Sequence, residues 1–333
     1  KQISDVLNTQ SNDVVMGSLP LFHAFGLTVT QLLPLIEGLP LVCHADPTDA
    51  PGIAGAIAKH KATIMFGTSS FLRLFVRSSK VHPLMLESLR VVVAGAEKLD
   101  ENVRNSFALK FHKPVYEGYG ATEIAPVASV NLPDAMGVHY QQVQRGSKVG
   151  TVGMPLPGTS FKIVDPESNE ELPTGEAGMI LISGPQIMQG YLNDPDRTAK
   201  ALHVIDGYRW YITGYKGFID EDGFLTLIDR YARFAKTGGE MISLSTVEAA
   251  VKAALEDTDT ALISVNIPDS RKGERIVLLS ETALDAKTVK ATMLANGTSP
   301  MMIPSHWFTV ETIPHLGSGK ADFAGAKRLA QAQ

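Results

Sequence analysis

The chain has 333 residues, of which 44% are hydrophobic and 20% charged, and its formal net charge is −5. This length and composition predict a folded protein of more than one domain and exclude a largely disordered chain. The negative charge argues against nucleic acid as the main partner. Cys43 is the only cysteine, which excludes an internal disulfide and a multi-cysteine metal site. We expect Cys43 to be a small buried side chain.

The first part of the chain alternates strands and helices. Strands are predicted at residues 14–19, 41–42, 63–66 and 89–93, and helices at residues 27–36, 51–60 and 69–76. Apolar strands separated by helices predict a largely parallel sheet that is covered on both faces. Ligands of such sheets bind at the carboxyl ends of the strands. The longest apolar run, residues 32–42, is too short to span a bilayer.

Two strand ends carry residues that suit a ligand. Small residues after the strand at 91–93 let a flat ring approach the backbone, although an ordinary strand-to-helix turn has the same composition. This turn contains Gly95, Ala96 and Glu97. The next strand leads into Tyr119, Gly120, Ala121, Thr122 and Glu123. The hydroxyl of Thr122 suits a phosphate oxygen, and the carboxylate of Glu123 suits a Mg²⁺ ion. The alternative is a capped turn.

An earlier loop combines an imidazole, an aromatic ring and a glycine: His23, Phe25 and Gly26. These residue types can form one wall of a ligand pocket. A core loop with a hydrogen-bonded histidine explains them equally well.

From residue 143 the composition shifts toward glycine, proline and short strands, which predicts a β subdomain. A hairpin is predicted around Asp222 and Gly223, since apolar runs flank this Asp-Gly pair. Beyond Asp229 the chain combines positive charge with flexible backbone. This combination suits a joint that faces an anion, and the alternative is a solvated basic loop. The residues concerned are Arg230, Lys236, Gly238, Gly239 and Glu240.

The last hundred residues predict a compact α+β domain. Ser245 and Glu248 form a capping-box pattern that opens a helix ending near Leu255. Strands are predicted at residues 261–267, 275–279 and 307–310, with a helix at 286–294. Lys320 follows a glycine-containing loop, where most lysines are simply solvated.

Several of these strings together resemble the adenylate-forming superfamily of acyl-CoA, acyl-carrier-protein and related synthetases. They are the Tyr119 to Glu123 string, residues 210–214 (Trp-Tyr-Ile-Thr-Gly), the step from Asp229 to Arg230, and the loop from Lys236 to Glu240. The resemblance implies an α/β fold with a truncated large domain, residues 1–229, and a small mobile α+β domain, residues 230–333. The large domain would comprise a mostly parallel, helix-covered sheet (1–142) and a β-rich part (143–229).

The implied activity is ATP-dependent activation of a fatty acid to acyl-AMP, followed by transfer to the phosphopantetheine thiol of acyl carrier protein or CoA. Activation is needed because a carboxylate oxygen is a poor leaving group, so the protein must position two anions and neutralise developing charge. ATP and Mg²⁺ are the implied cofactors. The resemblance implies a cytoplasmic protein that meets a membrane only through parts outside this chain. Residues 19–28, 66–69, 91–99 and 233–236 look most like the acyl-carrier-protein synthetases.

The resemblance also assigns roles to residues. The implied catalytic residues are Lys320, Thr122 and Glu123, and Glu123 would hold Mg²⁺. The implied nucleotide contacts are Gly95, Ala96, Glu97, Tyr119, Gly120, Ala121, Tyr215 and Arg230. The implied acyl-pocket residues are His23, Phe25 and Gly26. Asp229 would be the hinge, and the implied thiol-step loop contains Lys236, Gly238, Gly239 and Glu240.

Two departures from the family pattern affect these expectations. The family's Ser-, Thr- and Gly-rich phosphate loop has no match ahead of the segment 20–26, which predicts that the chain as given does not turn over ATP. Tyr215 stands where the family has an aspartate, and a phenol cannot accept two charge-assisted hydrogen bonds from a ribose. A catalytically dead acyl- or nucleotide-binding module therefore remains an alternative, as does the same chemistry on another carboxylic acid.

Overall fold

The structure, a computed structural model, describes residues 1–136, 143–238, 240–257, 259–269, 273–315 and 321–333. The chain forms two compact units, unit 1 (Lys1–Leu227) and unit 2 (Ile228–Gln333). Within the described ranges, no helix combines the length and apolar composition that crossing a membrane requires.

Unit 1 contains a sheet with helices on both faces, followed by a β-rich part. In chain order its elements are α1 (Gln2–Leu7), β1 (Val15–Gly17), α2 (Ala24–Leu27), α3 (Leu33–Glu37), β2 (Leu41–Cys43), α4 (Ala50–His60), β3 (Ile64–Gly67), α5 (Ser69–Arg77), β4 (Val91–Ala94), α6 (Glu101–Phe111), β5 (Tyr116–Gly120), β6 (Val127–Val130), β7 (Ala135–Met136), β8 (Val143–Gln144), β9 (Met154–Pro155), β10 (Ser160–Val164), β11 (Gly178–Ser183), α7 (Pro195–Ala201), β12 (Leu202–Ile205), β13 (Tyr208–Ile219) and β14 (Leu225–Arg230). A π-helical turn, Thr28–Leu32, joins α2 to α3.

The first sheet has the strand order β2-β1-β3-β4-β5-β6-β9. The strands from β2 to β5 are parallel, and β6 and β9 are antiparallel additions. Successive residues of β4 face opposite sides: Val92 packs in the core with α4, α5 and α6, and Val91 packs in the core that includes Leu7 and Leu33. Because both faces are buried, every position of this strand is apolar. The predicted α/β fold is confirmed.

The β-rich part of unit 1 is an antiparallel sheet of order β10-β11-β13-β12, with β14 paired to β13. The register of β13 against β11 shifts, since Leu181 pairs with Ile212 and Met179 pairs with Lys216. Gly214 lies in this bulge at φ +72°. The predicted hairpin is confirmed at its turn, where Asp220 Oδ1 accepts the backbone N–H groups of Asp222 and Phe224.

Unit 2 is an α+β fold. Its elements are β15 (Phe234–Thr237), β16 (Glu240–Ser243), α8 (Leu244–Leu255), β17 (Leu262–Asp269), β18 (Gly273–Ser280), α9 (Ala286–Ala295), β19 (His306–Thr309) and α10 (Phe323–Ala332). The sheet order is β16-β15-β18-β17, with β19 parallel to β18. One core cluster combines Ala326 and Ala330 of α10 with apolar residues of β17 and β18.

Two sequence expectations are wrong. Cys43 is exposed, because β2 is an edge strand of its sheet. The N-cap of α8 is Ser243 rather than Ser245, and Glu248 does not close a capping box. Glu248 Oε1 instead accepts hydrogen bonds from Arg233 Nη2 and the Ser264 N–H, both at 2.7 Å. Burial raises the pKa of Glu248 despite the nearby Arg233, so a charged partner and a backbone donor are what this position needs.

Candidate functional site

The two strand ends singled out in the sequence are neighbours in the first sheet. In the parallel pair β4 and β5, Val93 lies beside Tyr116 and Ala94 beside Glu117. The chain therefore leaves β4 beside the first residues of β5, and β5 continues in the same direction to Gly120. Ala96, directly after β4, adopts φ +71°, which is uncommon for a residue with a side chain. A tight turn is thus built at the end of β4, with Gly95 buried and Ala96 and Glu97 half-buried.

Phe25 lies against this turn. A Cβ atom on Gly95 would come within 3.1–3.6 Å of three carbons of the Phe25 ring. The same ring meets Phe66 of β3 edge to face, with centroids 6.0 Å apart. The segment expected to border an acyl pocket therefore contacts the turn expected to contact a nucleotide.

Two residues near Phe25, His23 and Gly26, shape the local backbone. His23 Nδ1 accepts the Phe25 N–H at 3.2 Å and caps α2. A Cβ atom on Gly26 would lie 2.2 Å from the carbonyl oxygen of Pro20, so only glycine fits there. His23 is thus a hydrogen-bonded loop histidine, and its predicted place in an acyl pocket stays a prediction.

Glu97 turns toward the start of a neighbouring helix. Its Oε1 accepts the N–H of Ser70 in the first turn of α5, next to the cap formed by Thr68. A carboxylate is favourable at this place because the N-terminus of a helix carries partial positive charge. Glu97 therefore fixes the turn after β4 to α5.

Tyr119 and Tyr215 meet ring to ring. Their centroids are 5.5 Å apart and their planes are inclined by 76°. Tyr215 follows the bulge of β13, and its N–H donates to Thr213 Oγ1 at 3.0 Å. Both rings pack in one apolar cluster with Ile124 and Leu225. The Tyr215 ring is thus partly buried against the end of β5.

The end of β5 is shaped by a close backbone approach. A Cβ atom on Gly120 would lie 1.8 Å from the carbonyl oxygen of Pro126, so this position requires glycine. Ala121 then leads into a 3₁₀ turn, Thr122–Ile124, in which Thr122 is exposed and Glu123 is half-buried.

Glu123 accepts a hydrogen bond from a residue distant in sequence. Tyr191 Oη donates to Glu123 Oε1 at 2.8 Å, and the Met188 N–H donates to the Glu123 carbonyl at 2.9 Å. Burial, followed by the hydrogen bond to Glu123, raises the pKa of Tyr191. The phenol therefore stays a neutral donor beside the carboxylate.

The residues present fit a magnesium–nucleotide complex better than a metal site made by protein alone. In the described part of the chain, no group of three or more His, Cys, Asp or Glu side chains lies close enough to hold a metal ion. Mg²⁺ commonly binds one or two carboxylates together with substrate phosphates and water. A single carboxylate such as Glu123 suits that mode of binding.

The sequence reasoning missed Tyr191, which contacts Glu123, and Arg197, which contacts the Tyr191 ring. The guanidinium of Arg197 lies over the Tyr191 ring, 3.8 Å from its centroid. One available signal was Asp194 followed by Pro195, a helix start that places Arg197 and Thr198 in the first turn of α7.

Unit 2 carries the remaining candidates. Asp229 is buried, and its Oδ2 accepts hydrogen bonds from Ser243 Oγ at 3.0 Å and from the Ser245 N–H at 3.3 Å. Arg230 is exposed. The N–H of Lys236 donates to Glu274 Oε2 at 2.7 Å.

The predicted thiol-step loop joins β15 to β16. Thr237 pairs with Glu240 across it, and Gly238 adopts φ +60°. Gly239 and Lys320 lie outside the described residues. Within unit 1, the structure brings together the turn after β4 with Phe25, and the end of β5 with Tyr215.

Comparison with protein families gives a match over more than half of the chain. The family described as AMP-binding enzyme matches residues 1–192. A long-chain-fatty-acid–CoA ligase of Salmonella typhimurium is 32% identical over 266 residues, which are 80% of this chain and 44% of that protein. 4-Coumarate–CoA ligase 2 of Solanum tuberosum is 31% identical over 319 residues, 94% of this chain and 56% of that protein. The chain thus spans about half the length of the curated relatives it matches.

Solved structures support the same fold. ATP-bound MatB from Rhodopseudomonas palustris superposes with a TM-score of 0.83 at 23% identity, covering 99% of this chain and 62% of that one. The anthranilate CoA ligase AuaEII in complex with anthranoyl-AMP gives a TM-score of 0.77 at 20% identity, with the same coverage of both chains.

Proposed function

Because the chain belongs to the AMP-binding enzyme family, we propose that it is part of an adenylate-forming acid–thiol ligase. A carboxylate oxygen of the substrate attacks the α-phosphorus of ATP, and pyrophosphate leaves. A thiol sulfur then attacks the acyl carbon of the acyl-AMP, and AMP leaves. The observation that carries this proposal is that the Tyr119 to Glu123 string lies at the end of β5, the parallel neighbour of β4, and that β4 leads into the Gly95 turn.

The proposed roles follow the chemistry of the side chains. Glu123 binds Mg²⁺ together with phosphate oxygens, and the exposed hydroxyl of Thr122 donates to a phosphate. The backbone around Gly95 and the ring of Tyr119 frame the base. Lys320 neutralises charge on the α-phosphate during adenylation. Arg230 contacts the ribose.

We propose a fatty acid as the substrate. Phe25 places a half-buried aromatic ring directly beside Gly95, and this apolar surface suits an acyl chain near the turn. The relative named a long-chain-fatty-acid–CoA ligase agrees with this choice. The relative named 4-coumarate–CoA ligase 2 keeps another carboxylic acid as the alternative substrate.

The proposed acceptor is the phosphopantetheine thiol of acyl carrier protein, with CoA as the alternative. Residues 19–28, 66–69, 91–99, 233–236 and 316–320 resemble the acyl-ACP synthetase part of the bifunctional 2-acylglycerophosphoethanolamine acyltransferase/acyl-ACP synthetase. We therefore propose a role in recycling phospholipid acyl chains at the inner face of the inner membrane. The names of the relatives, which are CoA ligases, support CoA as the acceptor.

Tyr215 favours one different function, a binding module without catalysis. Its ring is partly buried against Tyr119, so it occupies space beside a proposed base contact. Such a module binds an acyl chain or a nucleotide and releases no pyrophosphate.

The deciding experiment is acid-dependent exchange of labelled pyrophosphate into ATP, measured on the full-length polypeptide that the gene encodes. Palmitate is the test acid, 4-coumarate the comparison acid, and the Tyr215→Asp variant the control for the ribose position. Exchange with palmitate supports the ligase. If both proteins bind ATP but neither catalyses exchange with either acid, the ligase proposal is wrong and the binding module takes its place.

A further inference from the structure

The hydrogen bond between Tyr191 and Glu123 links the turn after β5 to a segment 68 residues further along the chain. The donor is an uncharged phenol. It therefore fixes the direction of the carboxylate while leaving the negative charge that a cation needs. A lysine or arginine in the same place would neutralise that charge. This contact thus suits a carboxylate that also binds a third group, such as a cation.

The phenol itself is held by several contacts. Its own backbone N–H donates to Thr198 Oγ1 at 2.8 Å, and this hydroxyl donates to the carbonyl of Asp194. Gly190 permits the approach, because a Cβ atom there would lie 2.8 Å from Thr198 Cγ2.

Arg197 holds the ring from one face, with its guanidinium 3.8 Å from the centroid of Tyr191. The N-cap of α7, Asp194, accepts the Arg197 N–H and so fixes the first turn of the helix. The ring is thus clamped between its backbone contact and a cation–π contact. Both contacts restrain the Tyr191 side chain, whose hydroxyl donates a hydrogen bond to Glu123.

We propose that Tyr191 is a positioning residue for the metal–nucleotide complex: its hydroxyl sets the direction of the Glu123 carboxylate toward a divalent cation, and Arg197 fixes the ring that carries the hydroxyl. This inference rests on the proposed function, in which Glu123 binds the ion. Hydrogen-bond partners of metal-binding carboxylates typically contribute 10- to 100-fold to metal affinity or activity.

The test measures cation binding without turnover. Mn²⁺ is titrated into the full-length protein in the presence of α,β-methylene-ATP, which cannot be cleaved between the α- and β-phosphates, and free Mn²⁺ is followed by electron paramagnetic resonance. We expect Tyr191→Phe to raise the dissociation constant of Mn²⁺ about 10-fold or more. Binding of the analogue without metal stays unchanged. The matched control is Tyr208→Phe, whose side chain is exposed on β13 and which leaves both constants unchanged.

A second set of variants separates positioning from folding. In the Glu123→Gln background, the Tyr191→Phe change should add nothing further, because the two residues act through one contact. Arg197→Gln, which keeps the hydroxyl, should weaken Mn²⁺ binding by about threefold. It serves as the test if Tyr191→Phe does not fold.

The outcomes test this inference separately from the proposed function on which it rests. If the unaltered protein binds Mn²⁺ with the analogue and the Tyr191→Phe variant binds it equally well, the inference is wrong and the proposed function stands. If the unaltered protein binds no Mn²⁺ with the analogue, the proposed role of Glu123 is wrong, and the inference falls with it.

Discussion

Asp13 of unit 1 is a buried residue whose negative charge is stabilised by neighbouring hydrogen-bond donors. Its side chain is 2% exposed, and it accepts hydrogen bonds from Arg90 Nε at 2.8 Å, Thr63 Oγ1 at 2.7 Å and the Gln10 N–H at 2.8 Å. Burial acts to raise the pKa of Asp13, but the hydrogen bonds from these three residues outweigh it and hold the pKa below its ordinary value. The charged form is therefore part of the folded state.

Removing Arg90 should make unit 1 less stable in a pH-dependent way. We expect Arg90→Ala to lower the free energy of unfolding by about 2 kcal/mol at pH 7, because the buried carboxylate loses its charged donor. The pKa of Asp13 is lower in the folded than in the unfolded state, so its contribution is present above the unfolded value of about 4 and is lost as pH falls through the folded value. The difference between variant and unaltered protein should therefore shrink toward pH 3.

Urea unfolding at pH 7 and pH 3 measures both quantities. The control is Arg145→Ala, which removes a pair with Asp222 in which both side chains are more than half exposed. This change should cost less than about 0.5 kcal/mol. Equal losses in the two variants, or a loss in Arg90→Ala that does not change with pH, would contradict the assignment.

At the scale of elements, the sequence patterns predicted most of the strands that form the sheets. The continuous apolar run of β4 indicated a strand buried on both faces, and the Asp-Gly pair indicated the hairpin after β13. Helix α6 was not predicted, although Val103, Phe107 and Phe111 recur every four residues and Asp100 provides the cap. Here the signal was present in the sequence and was overlooked.

Other features could not be read from the sequence. The contact between Tyr191 and Glu123 depends on how β11, α7 and the turn after β5 assemble, and local patterns carry no such information. The same holds for Phe25 and Gly95, which are 70 positions apart. Glu248 gave a false capping signal because its partners, Arg233 and Ser264, come from other elements. Tertiary contacts, not local propensity, decide these positions.

The end of helix α5 depends on a lysine of α6. Lys110 Nζ donates to the carbonyl oxygens of Phe75, Val76 and Ser78 at 3.1, 3.0 and 2.7 Å. These carbonyls lie at the C-terminus of α5, where helical partners run out and positive charge is favourable. One side chain thus ties the end of α5 to α6.

We expect Lys110→Met to lower the free energy of unfolding by about 1–2 kcal/mol, since the carbonyls lose a charged donor while the apolar stem is kept. Hydrogen exchange should speed up in the last turn of α5 in particular. Lys59→Met, at an exposed position of the last turn of α4, is the matched control and should be close to neutral. An unchanged exchange rate in α5 would show that Lys110 does not hold this helix end.

At the scale of the whole molecule, we propose that the two half-reactions use different segments of unit 2, and that unit 2 turns about Asp229 between the two reactions. Lys320→Ala should reduce pyrophosphate exchange by about 100-fold, because charge on the α-phosphate is no longer neutralised. The same variant should still form thioester from synthetic acyl-AMP.

Lys236→Ala provides the comparison, since it lies on β15 next to the proposed thiol-step loop. It should slow thioester formation and leave exchange nearly unchanged. Both half-reactions are assayed on the full-length polypeptide. Parallel losses in both assays for both variants would be inconsistent with a division of labour between the two segments.

Cys43 offers a practical route to such measurements. It is the only thiol among the 333 residues, and it is exposed on the edge strand β2. A maleimide dye can therefore be attached to this chain at one defined point without substituting any residue. Because that point lies in unit 1, a second dye placed in unit 2 makes the distance between the units an observable by energy transfer, in each ligand state separately.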